Sequence, residues 1–144
     1  HLLEHGEVRL NDCVGHAEEL RLGARADINE QDLALLRLHE LLRLLGAGRF
    51  MESDRFVAWA VAPGQPSLGV IKPHDGKAAT VGNGVMIALV VDSNDKVDAL
   101  YRKAIELGAQ DEGPPGPRGL AGFYAAYFRD LDGNKLNCFC WKPA

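Results

Sequence analysis

The sequence predicts an α+β fold built from two copies of one supersecondary unit, and three observations carry that prediction. An apolar stripe at helical spacing ends in Leu45-Gly46-Ala47, and a second stripe ends in Leu107-Gly108-Ala109. Each stripe is followed by short runs of β-branched and aromatic residues separated by turn formers. The bulk composition is that of a folded protein: of 144 residues, 47% are hydrophobic and 25% charged, a balance that excludes wholesale disorder.

The first helix comes from residues 11–45, where Leu, Ala, Glu and Arg dominate and favour helix. Asp32 is a fitting N-cap for a stripe of Leu33, Leu36, Leu38, Leu41, Leu42 and Leu45, and Gly46 and Gly48 end it. Such a stripe covers a sheet. Residues 56–62 (FVAWAVA) and Ser67–Ile71 (SLGVI) read as two strands joined by a tight turn at Pro63, Gly64 and Pro66. A second turn occupies residues 72–76. Residues 85–91 (VMIALVV) form a buried strand by length and branching. Asp92 or Ser93 then caps a helix that aligns Val97, Leu100, Tyr101, Ala104, Ile105 and Leu107. Residues 113–119 carry three prolines, each lacking an amide donor, and are expected as a surface loop, with room for one more strand near Asp111. Residues 123–128 and Lys135–Trp141 are strands, joined by a hairpin through Asp132-Gly133.

Charge and cysteine usage narrow the partners. Sixteen Lys+Arg against twenty Asp+Glu give a net charge of −4, which makes nucleic acid or an anionic membrane surface a poor fit. No apolar run reaches the roughly 20 residues of a membrane helix, and residues 1–10 lack the apolar core of a secretory signal. Three cysteines, an odd count, fit a reducing cytoplasm better than a disulfide scaffold.

The run GFYAAYFRDLDGNKL at residues 122–136 resembles the closing hairpin of the vicinal oxygen chelate superfamily, which holds glyoxalase I, bleomycin-resistance and extradiol dioxygenase proteins. That hairpin joins an aromatic strand to a second strand through Asp-Pro-Asp-Gly-Asn, and Leu131 stands at the proline here. Residues 82–88 (GNGVMIA) resemble the strand that opens the family's second module, residues 93–108 its helix, and residues 49–76 the last three strands of the first module. The resemblance implies two βαβββ modules, residues 32–76 and 82–141, whose sheets form a cupped mixed sheet with helices outside. It leaves residues 1–31 as a helical or irregular extension, with Val8-Arg9-Leu10 the one local candidate for the first module's missing strand. A missing strand would expose a sheet edge that a partner chain can cover, and the family implies a homodimer.

The resemblance implies a cup that binds a metal and a small organic substrate, which requires ligand donors on the strands. None carries His, Asp or Glu. By the resemblance, Met86 stands where metal-binding members carry His, and Asn137 where they place a ligating Glu. A thioether and an amide replace imidazole and carboxylate poorly on a hard or borderline cation. His1 and His5 lie four apart at the terminus, while His16, His39 and His74 fall in helices or a turn. Asp130, Asp132 and Asn134 imitate a calcium loop, but the glycine comes early and position twelve is Trp141, so the segment reads as a turn. No metal and no cofactor are therefore expected.

Strand alternation puts Asn137, Phe139 and Trp141 on one face of the last strand and Leu136, Cys138 and Cys140 on the other. With Asn137 in the cup, Phe139 and Trp141 line the same wall and Met86, Ala88 and Val90 the opposite one; Trp59 and either Tyr124 or Tyr127 are further lining candidates. Aromatic walls with a few polar tips suit a flat apolar or cationic molecule. Arg118 reads as a solvated loop residue. Three functions fit: metal-free binding of a small apolar or aromatic molecule, by sequestration or by proton transfer through Tyr and Asn; a metal-dependent lyase, isomerase or dioxygenase with ligands from the N-terminal third or a partner; and a non-catalytic interaction protein.

Overall fold

The computed structural model describes residues 29–142. The expectations placed on residues 1–28, including the strand at Val8-Arg9-Leu10 and the terminal histidines, lie outside the described residues. Helix α1 spans Glu30–Arg43 and is capped by Asn29, whose side chain accepts from the Asp32 amide at 2.9 Å. The expected cap, Asp32, lies inside the first turn, where its charge complements the helix N-terminus. The side chains α1 buries are Ala34, Leu38, Leu41 and Leu42, so the stripe is shifted slightly from the all-leucine one.

Three antiparallel strands follow: β1 at Gly48–Glu52, β2 at Phe56–Ala60 and β3 at Ser67–Ile71, in the order β1-β2-β3. The second unit supplies β4 at Ile87–Val90, helix α2 at Asn94–Glu106 capped by Ser93, β5 at Gln110–Pro117, β6 at Phe123–Arg129 and β7 at Lys135–Trp141. Its sheet runs β4-β7-β6-β5, with β4 parallel to β7 and the other pairs antiparallel. As expected for an atypical first unit, among the described residues the first sheet has three strands and nothing pairs with the outer edge of β3.

The proline-rich segment expected as a loop is β5. Pro114, Pro115 and Pro117 are tolerated because β5 bonds to β6 alone and lies at the sheet's rim, where a missing amide donor costs no ladder bond. Two register shifts, between Asp111 and Gly113 and between Gly113 and Gly116, absorb the irregular backbone.

Two apolar clusters hold the helices on the sheets. Val97, Leu100 and Ala104 of α2 meet Ala126, Phe128, Leu136, Cys138 and Cys140, and Leu41 of α1 joins them. Leu38 and Leu42 of α1 meet Val57 and Trp59 of β2. Leu45 and Leu89 touch both clusters, so α1 links the two sheets. The hairpin between β6 and β7 is organised by Asp130: its Oδ1 accepts from the amides of Asp132 at 3.0 Å and Asn134 at 2.8 Å, and Gly133 takes φ +80°. A turn, and not a cation loop, is what those carboxylates build.

Candidate ligand-binding face

Pleating gives the second sheet a face against α2 and a face that no described helix covers. Leu136, Cys138 and Cys140 of β7 pack into the α2 cluster, so Asn137, Phe139 and Trp141 fall on the opposite face. Register then assigns their neighbours. Asn137 stands opposite Tyr127 on β6 and Ala88 on β4; Phe139 stands opposite Ala125 and Val90; Trp141 stands opposite Phe123. Phe123 and Phe139 stack with ring centroids 5.4 Å apart, and the Trp141 indole donates to the Ala121 carbonyl at 3.2 Å. Met86, just before β4, is exposed.

Of the nine residues named as cup candidates, seven belong to this face or its margin, Tyr127 being the one of the two tyrosine alternatives that does; Tyr124 and Trp59 do not. Tyr124 is one position out of phase with Ala125 and turns toward α2, where its hydroxyl donates to Asp98 Oδ1 at 2.9 Å. That bond to a carboxylate, together with burial, pushes the Tyr124 phenol above its ordinary range. Trp59 is 1% exposed and packs under α1, its indole Nε1 donating to His39 Nδ1 at 3.0 Å. It is core, because Val57, Trp59 and their partners Val70 and Leu68 share the face that α1 covers.

The centre of the face is Asn137, only 3% exposed, whose buried Oδ1 accepts no hydrogen bond from the described residues. An orphaned acceptor of this kind is uncommon in folded proteins and costs about 1–3 kcal/mol unless something donates to it. Around it stand charged groups that were not expected there. Lys135 lies two positions before Asn137, and Arg129 two after Tyr127, so strand alternation alone places both on this face. Glu112 accepts from Arg129 Nε at 2.7 Å and Lys135 Nζ at 2.8 Å. Lys135 first and Arg129 second hold its carboxyl below the usual range. Arg118 also reaches the face: its guanidinium carbon lies 5.7 Å from the Tyr127 ring centre, and Lys135 Nζ lies 5.8 Å from it.

Among the described residues, the donors on this face are poor ligands for a divalent cation. No three His, Cys, Asp or Glu converge among the described residues. The face offers one amide oxygen, an exposed thioether, and a carboxylate already engaged by two cations.

The fold pairs two β-units, and the second sheet carries a surface of aromatic and polar side chains. The family model of the Glyoxalase/Bleomycin resistance protein/Dioxygenase superfamily matches residues 42–138, and the chain belongs to that superfamily. It is similar to a glyoxalase/bleomycin resistance protein from Albidiferax ferrireducens T118, with 29% identity over 77% of this chain and 89% of that one, at a TM-score of 0.67. A hypothetical protein from S. aureus shares 28% identity over 74% of this chain and 84% of its own, at a TM-score of 0.58. The fosfomycin resistance protein FosX from Mesorhizobium loti shares the fold, with 21% identity over 75% and 83% of the two chains and a TM-score of 0.53. No curated protein matches the sequence. No described helix is long and apolar enough to cross a membrane.

Proposed function

We propose that this protein binds a small organic molecule, aromatic or apolar in its body, on the helix-free face of the second sheet, without a divalent metal. The observation that carries the proposal is the buried, unpartnered Oδ1 of Asn137. A ligand O–H or N–H that reaches it supplies the hydrogen bond that no described residue gives. Tyr127 and Phe139 beside it offer aromatic area for the body of such a molecule. Met86 and Asn137, at positions where the superfamily resemblance implies metal ligands, favour the metal-free form over the lyase, isomerase or dioxygenase alternative.

A thermal-shift screen of small aromatic phenols and anilines, run on the native chain and on Asn137→Leu, tests this. Binding to the native state raises apparent stability, so the native chain gains a ligand-dependent shift that Asn137→Leu lacks. Equal shifts in both proteins overturn the assignment. A shift with Mn²⁺, Ni²⁺ or Zn²⁺, accompanied by turnover of a hemithioacetal, hands the function to the lyase alternative.

The partner we expect is a second copy of the chain. The outer edge of β3, unpaired among the described residues, and the exposed Ile71 on it support a homodimer. Sedimentation of the full chain at increasing concentration checks it, and a constant monomer mass rules it out.

A further inference from the structure

We propose that this face selects an anionic ligand, an organic carboxylate held by Arg118 and Lys135 with its own O–H or N–H donor directed to Asn137. The selection rests on the reading above that a small molecule binds there, and it adds the charge class.

The sequence of β5 is what brings Arg118 onto the sheet. Gly116 stands opposite Ala125 and Gly113 opposite Tyr127, both on the helix-free face. A Cβ at Gly116 would lie 3.2 Å from Arg118 Nη1; one at Gly113 would lie 3.2 Å from Tyr127 Cδ2 and 3.5 Å from Arg118 Nη2. The two missing side chains thus leave a shallow bed in which the guanidinium lies against Tyr127. Two carbonyls hold it there: Nη2 donates to Pro114 O, and Nη1 to Pro117 O at 3.3 Å. A guanidinium has five N–H donors in a fixed fork, so three remain for a ligand, and the planar fork matches a carboxylate.

The local charge balance agrees. Among the described residues of this face, Arg118, Lys135 and Arg129 carry three positive charges and Glu112 one negative. A chain of net charge −4 therefore keeps a positive spot on this face. Two protein cations already sit within 6 Å of the Tyr127 ring centre, so a cationic ligand stacked on that ring meets like charges at short range. An aromatic body bearing a negative group suits this ring better than a cation does. Residues two apart on a strand lie about 6–7 Å apart, so Lys135 and the orphaned Asn137 oxygen can engage opposite ends of a single-ring molecule.

Calorimetric titration of the full chain with 4-hydroxybenzoate, 4-hydroxybenzamide and 4-hydroxybenzylamine reads the charge preference directly. The acid is expected to bind at least roughly tenfold more tightly than the amide, about 1.4 kcal/mol, with the amine weakest. That preference shrinks as salt rises. Arg118→Gln reduces it to about threefold or less. Gly116→Val does the same with the charge kept, because its side chain fills the bed, and it serves as the second variant should Arg118→Gln fold poorly. Equal binding of acid and amide, or an undiminished preference in both variants, overturns the anion selection and leaves the binding face standing. Should none of the three compounds bind up to about 10 mM, the anion selection and the binding face fall together.

Discussion

The Trp59 indole and the His39 imidazole are joined by a 3.0 Å hydrogen bond from Nε1–H to Nδ1, which ties β2 to α1. An Nδ1 that accepts is unprotonated, so the packed core holds a neutral imidazole with its proton on Nε2. Burial, and after it the charge of Arg49, lowers the His39 pKa from its ordinary 6.5.

The sign of the pH effect follows. A group whose folded pKa is depressed binds its proton more readily in the unfolded chain, so acid favours unfolding. The stabilisation is complete above about pH 6.5 and declines as pH falls from there through the lower folded value. The denaturant midpoint is expected to be flat near neutrality and to drop toward about pH 5. His39→Gln flattens that slope; a slope as steep as that of the native chain would show that some other group is responsible.

Trp59 also separates core from ligand face. Trp59→Ala is expected to cost about 3–5 kcal/mol through the cavity it leaves. Trp59→Phe should cost about 1–3 kcal/mol, since it leaves His39 without its donor. Neither alters the affinity of the folded protein for an aromatic ligand. Chemical denaturation gives the first quantity and calorimetry the second, and a large loss of affinity in Trp59→Phe would return Trp59 to the binding face.

Asn137→Leu should behave in the opposite way. Replacing an unpartnered buried amide by an apolar side chain of similar size removes a desolvation cost, so the unfolding free energy rises by about 1 kcal/mol. Ligand binding is lost with it. A fall in stability of the same size would mean that the amide has a partner in the native state.

Gly108 is the tightest backbone position near the end of α2. It takes φ +92°, and a Cβ there would collide with the guanidinium of Arg37, whose Nη1 donates to the Leu107 carbonyl at 2.5 Å. Gly108→Ala is expected to cost about 1–3 kcal/mol from the left-handed backbone and the displaced arginine. Arg37→Met, which keeps the stem and loses the charge-assisted bond, should cost less. Thermal unfolding of the two variants orders them, and equal midpoints would remove Arg37 from the account.

Much of this architecture is legible in the residues because it depends on local chemistry. Asp132-Gly133 announces its hairpin, Ser93 caps its helix, and the two leucine-rich stripes announce helices. What failed depends on long-range geometry. The face on which Tyr124 or Trp59 lies is decided by strand phase, and a one-residue difference reverses it. Proline forbids a central strand and so points to a loop at β5, and nothing local says that the segment will lie at a rim. The reach of Arg118 depends on Gly113 and Gly116 standing beside Tyr127, a coincidence of register that no local pattern carries. Lys135 and Arg129 follow from strand alternation alone, the one signal in the sequence that places charge on this face.

The makeup of β5 also bears on how the second sheet avoids being extended past its β5 edge. Pro114, Pro115 and Pro117 supply no amide hydrogen, and the backbone shifts register twice in eight residues. An incoming chain that tried to extend the sheet past this border would find too few donors to form a ladder. Fibril growth is blocked on that flank, and the same glycine-proline composition that prevents it is what lays a guanidinium flat beside a tyrosine.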